Sequence, residues 1–171
     1  MKIFVGCTSS ENIKDSYKEE VKKIASFLAK NYDLIIGGVN NDGVFGILID
    51  EFKDKNIDLI TLPIYKEDYD KNINCTYVDT TFDRTKTCYK MADKVLILPG
   101  GTGTICEIFS ILEESRTFDG KEIIIFNLDN YYANTLEMIV DAVKHKFNDM
   151  SILDRIKVFN TSDDLIKYLG G

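Results

Sequence analysis

The chain has 171 residues, 44% of them hydrophobic and 29% charged, the balance of a soluble globular protein read as one domain over residues 1–171. A net charge of −7 with only three arginines, Arg84, Arg116 and Arg155, excludes the basic footprint of a nucleic-acid binder. No apolar run reaches the ~18 residues of a membrane span, and the first residues read as a strand rather than a signal peptide, so a cytoplasmic protein is expected.

Lys2–Gly6 is β-branched and aromatic, which predicts a first strand. Residues 15–31 predict a helix, because Val21, Ile24, Ala25 and Leu28 recur at i, i+3, i+4 and i+7. A second strand is expected at Asp33–Ile36, ending in Gly37-Gly38, then a helix over 43–54 and a third strand over 58–63. Residues 66–75 read as a loop, 76–79 as a short strand and 82–92 as a helix. The apolar run Lys94–Leu98 predicts a strand that enters Pro99-Gly100-Gly101-Thr102-Gly103-Thr104. Ile105, Ile108, Phe109 and Leu112 then form a helical stripe. A strand over 122–127, a helix carrying Leu136, Ile139, Val140 and Val143, a strand at Ile156–Phe159 and a helix over 162–169 complete the order. Strand and helix alternate, and the strands are continuously apolar, as when both sheet faces are covered. The expected fold class is therefore α/β: a doubly wound, mostly parallel sheet with helices on both faces. Such sheets bind ligands beyond the C-terminal strand ends, near the point where strand order reverses.

Three turns at such ends carry the chemistry. In residues 99–107 a glycine-rich turn joins a strand to a helix start, where backbone N–H groups lack internal partners and can hold a phosphate. Glu107 lies one turn inside that helix and leans back toward its N-terminus. The turn matches neither a dinucleotide fingerprint nor a P-loop, which argues against NAD and ATP hydrolysis. Cys7-Thr8-Ser9-Ser10 offers hydroxyls and amides that serve either a phosphate or a helix cap. Gly37-Gly38 and the following Asn40-Asn41-Asp42-Gly43 let a ligand approach the backbone, and Gly46 inside a helix fits close packing. Elsewhere, Lys86 and Lys90 read as a solvated face, Asp83, Asp93, Glu113 and Glu114 as solvent-facing acids, and Tyr131-Tyr132 as packing. Cys7, Cys75, Cys88 and Cys106 lack metal-ligand spacing and read as free buried thiols. His145, the only histidine, reads as solvent-facing.

Together these pieces resemble the Lonely Guy family of cytokinin riboside 5′-monophosphate phosphoribohydrolases, formerly named lysine decarboxylases. The likeness covers nearly the whole chain. It rests on the Ser9-Ser10 turn, on Gly37-Gly38 with Gly43-Val44-Phe45-Gly46, on Pro99-Gly100-Gly101-Thr102-Gly103-Thr104 closing with Glu107, and on residues 127–132. The resemblance implies a Rossmann-like fold, a homodimer, and hydrolysis of the N-glycosidic bond of a nucleoside 5′-monophosphate such as AMP or an N6-substituted AMP. It implies Arg84 and Glu107 as the catalytic pair. Ser9, Ser10, Gly37, Gly38, Gly100, Gly101, Thr102, Gly103 and Thr104 would bind substrate and phosphate. No metal, redox cofactor, nucleic acid or membrane partner is expected. Three positions depart from the family pattern: Thr85 where a lysine is usual, Thr102 where a bulky residue is common, and Cys88 at a methionine position. A related branch of the superfamily carries molybdenum cofactor without hydrolysis, so the alternative reading is a non-catalytic nucleotide or molybdenum cofactor binding or carrier protein.

Overall fold

The computed structural model describes residues 1–38, 42–66, 69–117 and 120–171. Seven strands form one sheet: β1 (Lys2–Gly6), β2 (Asp33–Gly37), β3 (Ile57–Thr61), β4 (Ile73–Tyr77), β5 (Lys94–Ile97), β6 (Ile123–Phe126) and β7 (Ile156–Phe159). They lie in the order β4-β3-β2-β1-β5-β6-β7, and every pairing is parallel rather than most of them. The order reverses between β1 and β5, which pair Ile3–Gly6 with Lys94–Ile97. Asn40 and Asn41, part of the second predicted turn, lie outside the described residues.

Helices cover both faces because each strand buries alternate residues in opposite directions. Ile3, Val5, Leu34, Ile36 and Leu96 join α1 (Asp15–Asn31), α2 (Gly43–Glu51) and α7 (Ser162–Gly170) in one core. Phe4, Ile35, Val95, Ile97, Ile123 and Ile125 join α3 (Thr81–Met91), α4 (Thr102–Thr117), α5 (Ala133–Lys144) and the single turn α6 (Ser151–Asp154) in the other. The apolar stripe of α1, Val21-Ile24-Ala25-Leu28, is fully buried. The starts of α3 and α7 are fixed by Thr80 and Thr161, whose side chains accept from the N–H groups of Asp83 and Asp164. Among the described residues no helix is long and apolar enough to cross a membrane.

Several expectations are corrected. β3 ends at Thr61, because Pro63 opens a 3₁₀ turn, Pro63–Tyr65, instead of extending the strand. β4 begins at Ile73, inside the predicted loop. As an edge strand it is largely exposed and lacks the apolar run that marks the central strands. α2 stops at Glu51, and α6 was not anticipated. Lys86 does not extend freely into solvent: its Nζ lies 3.2 Å from Glu114 Oε1 on α4, and Glu114 is half-buried. Only Cys7 and Cys88 are buried thiols; Cys75 is half-buried and Cys106 exposed.

Candidate active site

Three strand ends converge at the reversal point. β1 delivers Cys7-Thr8-Ser9, β2 delivers Gly37-Gly38, and β5 delivers Leu98-Pro99-Gly100-Gly101 into α4. Backbone and side-chain bonds lock these turns together. The buried Thr104 hydroxyl donates to the Cys7 carbonyl at 3.1 Å, and the Val44 N–H donates to the Thr8 carbonyl at 3.1 Å. Gly43 has φ +59°, and a Cβ there would stand 2.4 Å from the Ser10 carbonyl oxygen, so α2 starts this close to the first turn only as glycine.

The glycines of the third turn divide by role. A Cβ on Gly100 would fall 2.2 Å from Thr104 Oγ1, whereas Cβ atoms on Gly101 and Gly103 would meet nothing within 4 Å. Gly100 is needed by the protein's own packing; Gly101 and Gly103 face open space. The first intrahelical bond of α4 runs from the Ile105 N–H to the Gly101 carbonyl at 3.0 Å. The N–H groups of Thr102, Gly103 and Thr104 precede it and have no partner within the helix. Since the Thr104 hydroxyl proton is committed to Cys7, Thr104 offers an anion its N–H.

These elements enclose a cavity of about 250 Å³. Its walls include Ser9, Gly37, Gly38, Arg84, Gly101, Thr102, Gly103, Thr104 and Glu107 among the predicted residues. Ser10 and Gly100 line an adjoining cavity instead. Cys7 and Thr8, from the turn offered for a phosphate, also line the first cavity, as does Phe45, which the sequence reading does not assign to the site. Phe45 carried a signal, since it stands between the glycines of the second turn, where a Cβ on Gly38 would lie 2.2 Å from its ring. Tyr131 is more than packing: its hydroxyl donates to the Gly100 carbonyl at 2.6 Å and ties down the glycine-rich turn. Tyr132, fully buried, donates to the Leu98 carbonyl at 2.8 Å.

Arg84 and Glu107 form the floor. Arg84 reaches it because its stem crosses Gly37, where a Cβ would stand 3.3 Å from Arg84 Cγ. Glu107 fits because β1 ends in glycine: a Cβ on Gly6 would lie 2.9 Å from Glu107 Oε2. Glu107 is 6% exposed. The polar partner of its carboxylate is Arg84 Nη2, at the long distance of 3.8 Å from Oε1. Arg84 Nε is buried with no hydrogen-bond partner. Burial pushes the Glu107 carboxyl up to about 7, the Arg84 cation opposing the shift. Burial and the Glu107 charge push the Cys7 and Cys88 thiols up, which leaves them protonated and poor nucleophiles. The floor thus holds a desolvated acid–base group beside an incompletely satisfied cation, under a helix start that can take an anion.

An all-parallel α/β sheet with a glycine-rich turn at the switch point and a buried acid below it is a Rossmann-like architecture. The chain belongs to the Lonely Guy family: the family model described as "possible lysine decarboxylase" matches residues 37–169. Cytokinin riboside 5′-monophosphate phosphoribohydrolase LOG3 of Arabidopsis thaliana is 26% identical over 176 residues, covering 98% of this chain and 81% of its own length. A probable enzyme of that name from Oryza sativa subsp. japonica, LOGL6, is also 26% identical, over 98% of this chain and 70% of its own length. Among solved structures, the molybdenum cofactor carrier protein of Chlamydomonas reinhardtii superposes with a TM-score of 0.71 at 12% identity, covering 99% of this chain and 95% of that one. The molybdenum cofactor binding protein of Rippkaea orientalis gives 0.70 at 15% identity over 99% and 94%. At these identities the two structures speak to the fold alone.

Proposed function

We propose that the protein hydrolyses the N-glycosidic bond of a nucleoside 5′-monophosphate, AMP or an N6-substituted AMP, to the free base and ribose 5-phosphate. The observation that carries this reading is Glu107: a buried carboxylate with one long ionic contact, directly below an open helix start. In this reading the 5′-phosphate takes the N–H groups of Thr102, Gly103 and Thr104, and Ser9, Gly37 and Gly38 border the rest of the nucleotide. Each charge–dipole contact of this kind is worth about 0.3–1 kcal/mol, more when partly buried.

Glycosidic cleavage develops positive charge on the ribose. An ionised Glu107 beside the sugar stabilises that charge and orients the attacking water. Arg84, with Nε unspent, balances charge on the phosphate or the departing base. Relatives named phosphoribohydrolases support the reaction type. We also propose a homodimer formed through α3 and α4, on which Phe82 and Phe109 stand exposed.

The test is incubation of the purified protein with a panel of nucleoside 5′-monophosphates, followed by chromatography for free base. Release of adenine or an N6-substituted adenine that disappears in Glu107→Ala supports the proposal. Nucleotide or phosphorylated-pterin binding without release from any member would replace it with a carrier function.

A further inference from the structure

The proposed reaction leaves a second cavity unused. It measures about 450 Å³ and adjoins the first at Thr8 and Gly101, which line both. The first cavity extends toward β2 over Gly37 and Gly38. The second extends toward β6, under Tyr131. The two therefore flank the β1–β5 reversal with the phosphate turn between them.

Their walls differ in kind. The second is lined by Ile13, Lys14, Tyr17 and Tyr131, together with Ser10 and Asn12. Tyr131 is brought over the turn by Asp129 and Asn130, consecutive non-glycine residues at φ 54° and 56°. Two adjacent left-handed residues are an uncommon backbone that persists where its surroundings enforce it, often at a ligand site. Lys14 Nζ lies 5.8 Å from the Tyr17 ring centre and pairs with no carboxylate among the described residues. Burial, and after it the nearby Asp129 carboxylate, push the Tyr17 hydroxyl up, so it stays a neutral donor.

Gly101, the residue before α4, lines both cavities, while Thr102, Gly103 and Thr104 line the first alone, so a phosphate on the helix start lies beside the opening between them. A nucleoside monophosphate with its ribose over Glu107 carries no group beyond that phosphate. A second phosphoryl group linked to the first continues past Gly101 toward Lys14, and a ring carried by it lies against Tyr17 and Tyr131. Doubly wound sheets place the halves of dinucleotides on either side of such a reversal. We propose that the Lys14–Tyr17–Tyr131 cavity binds the second half of a ligand joined through a diphosphate to the nucleoside over Glu107, so that nucleoside 5′-diphosphate derivatives carrying a further ring are ligands of this site. The inference rests on the nucleotide reading of the Glu107 cavity and adds the class of substituent on its phosphate.

Titration calorimetry on Glu107→Gln, which suppresses turnover, tests it with AMP and ADP-ribose as probes. ADP-ribose binds at least about tenfold more tightly than AMP. Lys14→Glu, an exposed substitution that leaves the fold intact, and Tyr17→Ala each remove most of that advantage while AMP affinity stays within about twofold. Equal affinities for the two probes, or an advantage that survives both substitutions, would overturn the inference and leave the nucleotide reading standing. Absence of AMP binding to any of the proteins would overturn both.

Discussion

The Glu107 carboxyl is held where burial raises it to about 7, so a small change of pH changes its charge. If the ionised form stabilises the ribosyl cation, kcat/KM climbs as pH rises from 6 to 8 with a midpoint near 7; a flat profile over that range would refute the ionised form as the active one. Glu107→Gln removes the charge at constant shape and lowers turnover at least about 100-fold, read by base release. The same substitution removes a pH dependence of the fold's stability. A carboxyl raised in the folded state favours folding below its unfolded value of 4.5 and loses that contribution as pH rises through about 7. The wild type thus gives up as much as about 3 kcal/mol by pH 8 that the glutamine keeps. Thermal melts should show the gap between the two proteins shift in favour of Glu107→Gln from pH 5 to pH 8. A constant gap would show that the carboxylate is not desolvated.

At the scale of elements, the glycine-rich turn separates its own packing needs from those of a proposed anion. Gly100→Ala places a methyl group 2.2 Å from Thr104 Oγ1 and disturbs the bond that ties α4 to the β1 turn. It should cost about 1–3 kcal/mol of stability in a denaturant titration. Gly101→Ala meets nothing within 4 Å and should melt near the wild-type temperature, yet its methyl occupies the space for the anion and raises KM. Equal stability losses in both variants would remove the distinction. Gly6→Ala belongs to the same class, since the new Cβ stands 2.9 Å from Glu107 Oε2 and from Ile97 Cδ1. It reaches the reaction through the position of Glu107, so kcat should fall more than KM rises.

At the scale of the whole molecule, the side of the sheet carrying α3, α4 and α5 leaves Phe82, Phe109 and Met138 exposed at 68%, 43% and 64%. Phe82 and Phe109 line one surface hollow with Asp83, Lys86 and Glu113, an apolar centre with charged edges of the kind found at subunit contacts. Light scattering should give twice the chain mass for the wild type and the chain mass for Phe109→Lys. A monomeric wild type would refute the homodimer.

Sequence periodicity alone determined most of the architecture. The stripe of α1, the apolar strands β1, β5 and β6, and the glycine turn before Glu107 are local patterns, and local patterns are legible where a face is fully buried. β4 was misplaced for the converse reason: an edge strand is half in water and carries no continuous run. The glycine motif marked Glu107 and the family resemblance pointed to Arg84, but their separation in the chain hid how they meet. Only the tertiary structure decided that Gly6 and Gly37 make room for them, that Thr104 spends its hydroxyl on Cys7, and that Tyr131 walls a second cavity. Each of these depends on which strand ends lie side by side at the β1–β5 reversal, a pairing set by long-range packing of the sheet rather than by neighbouring residues.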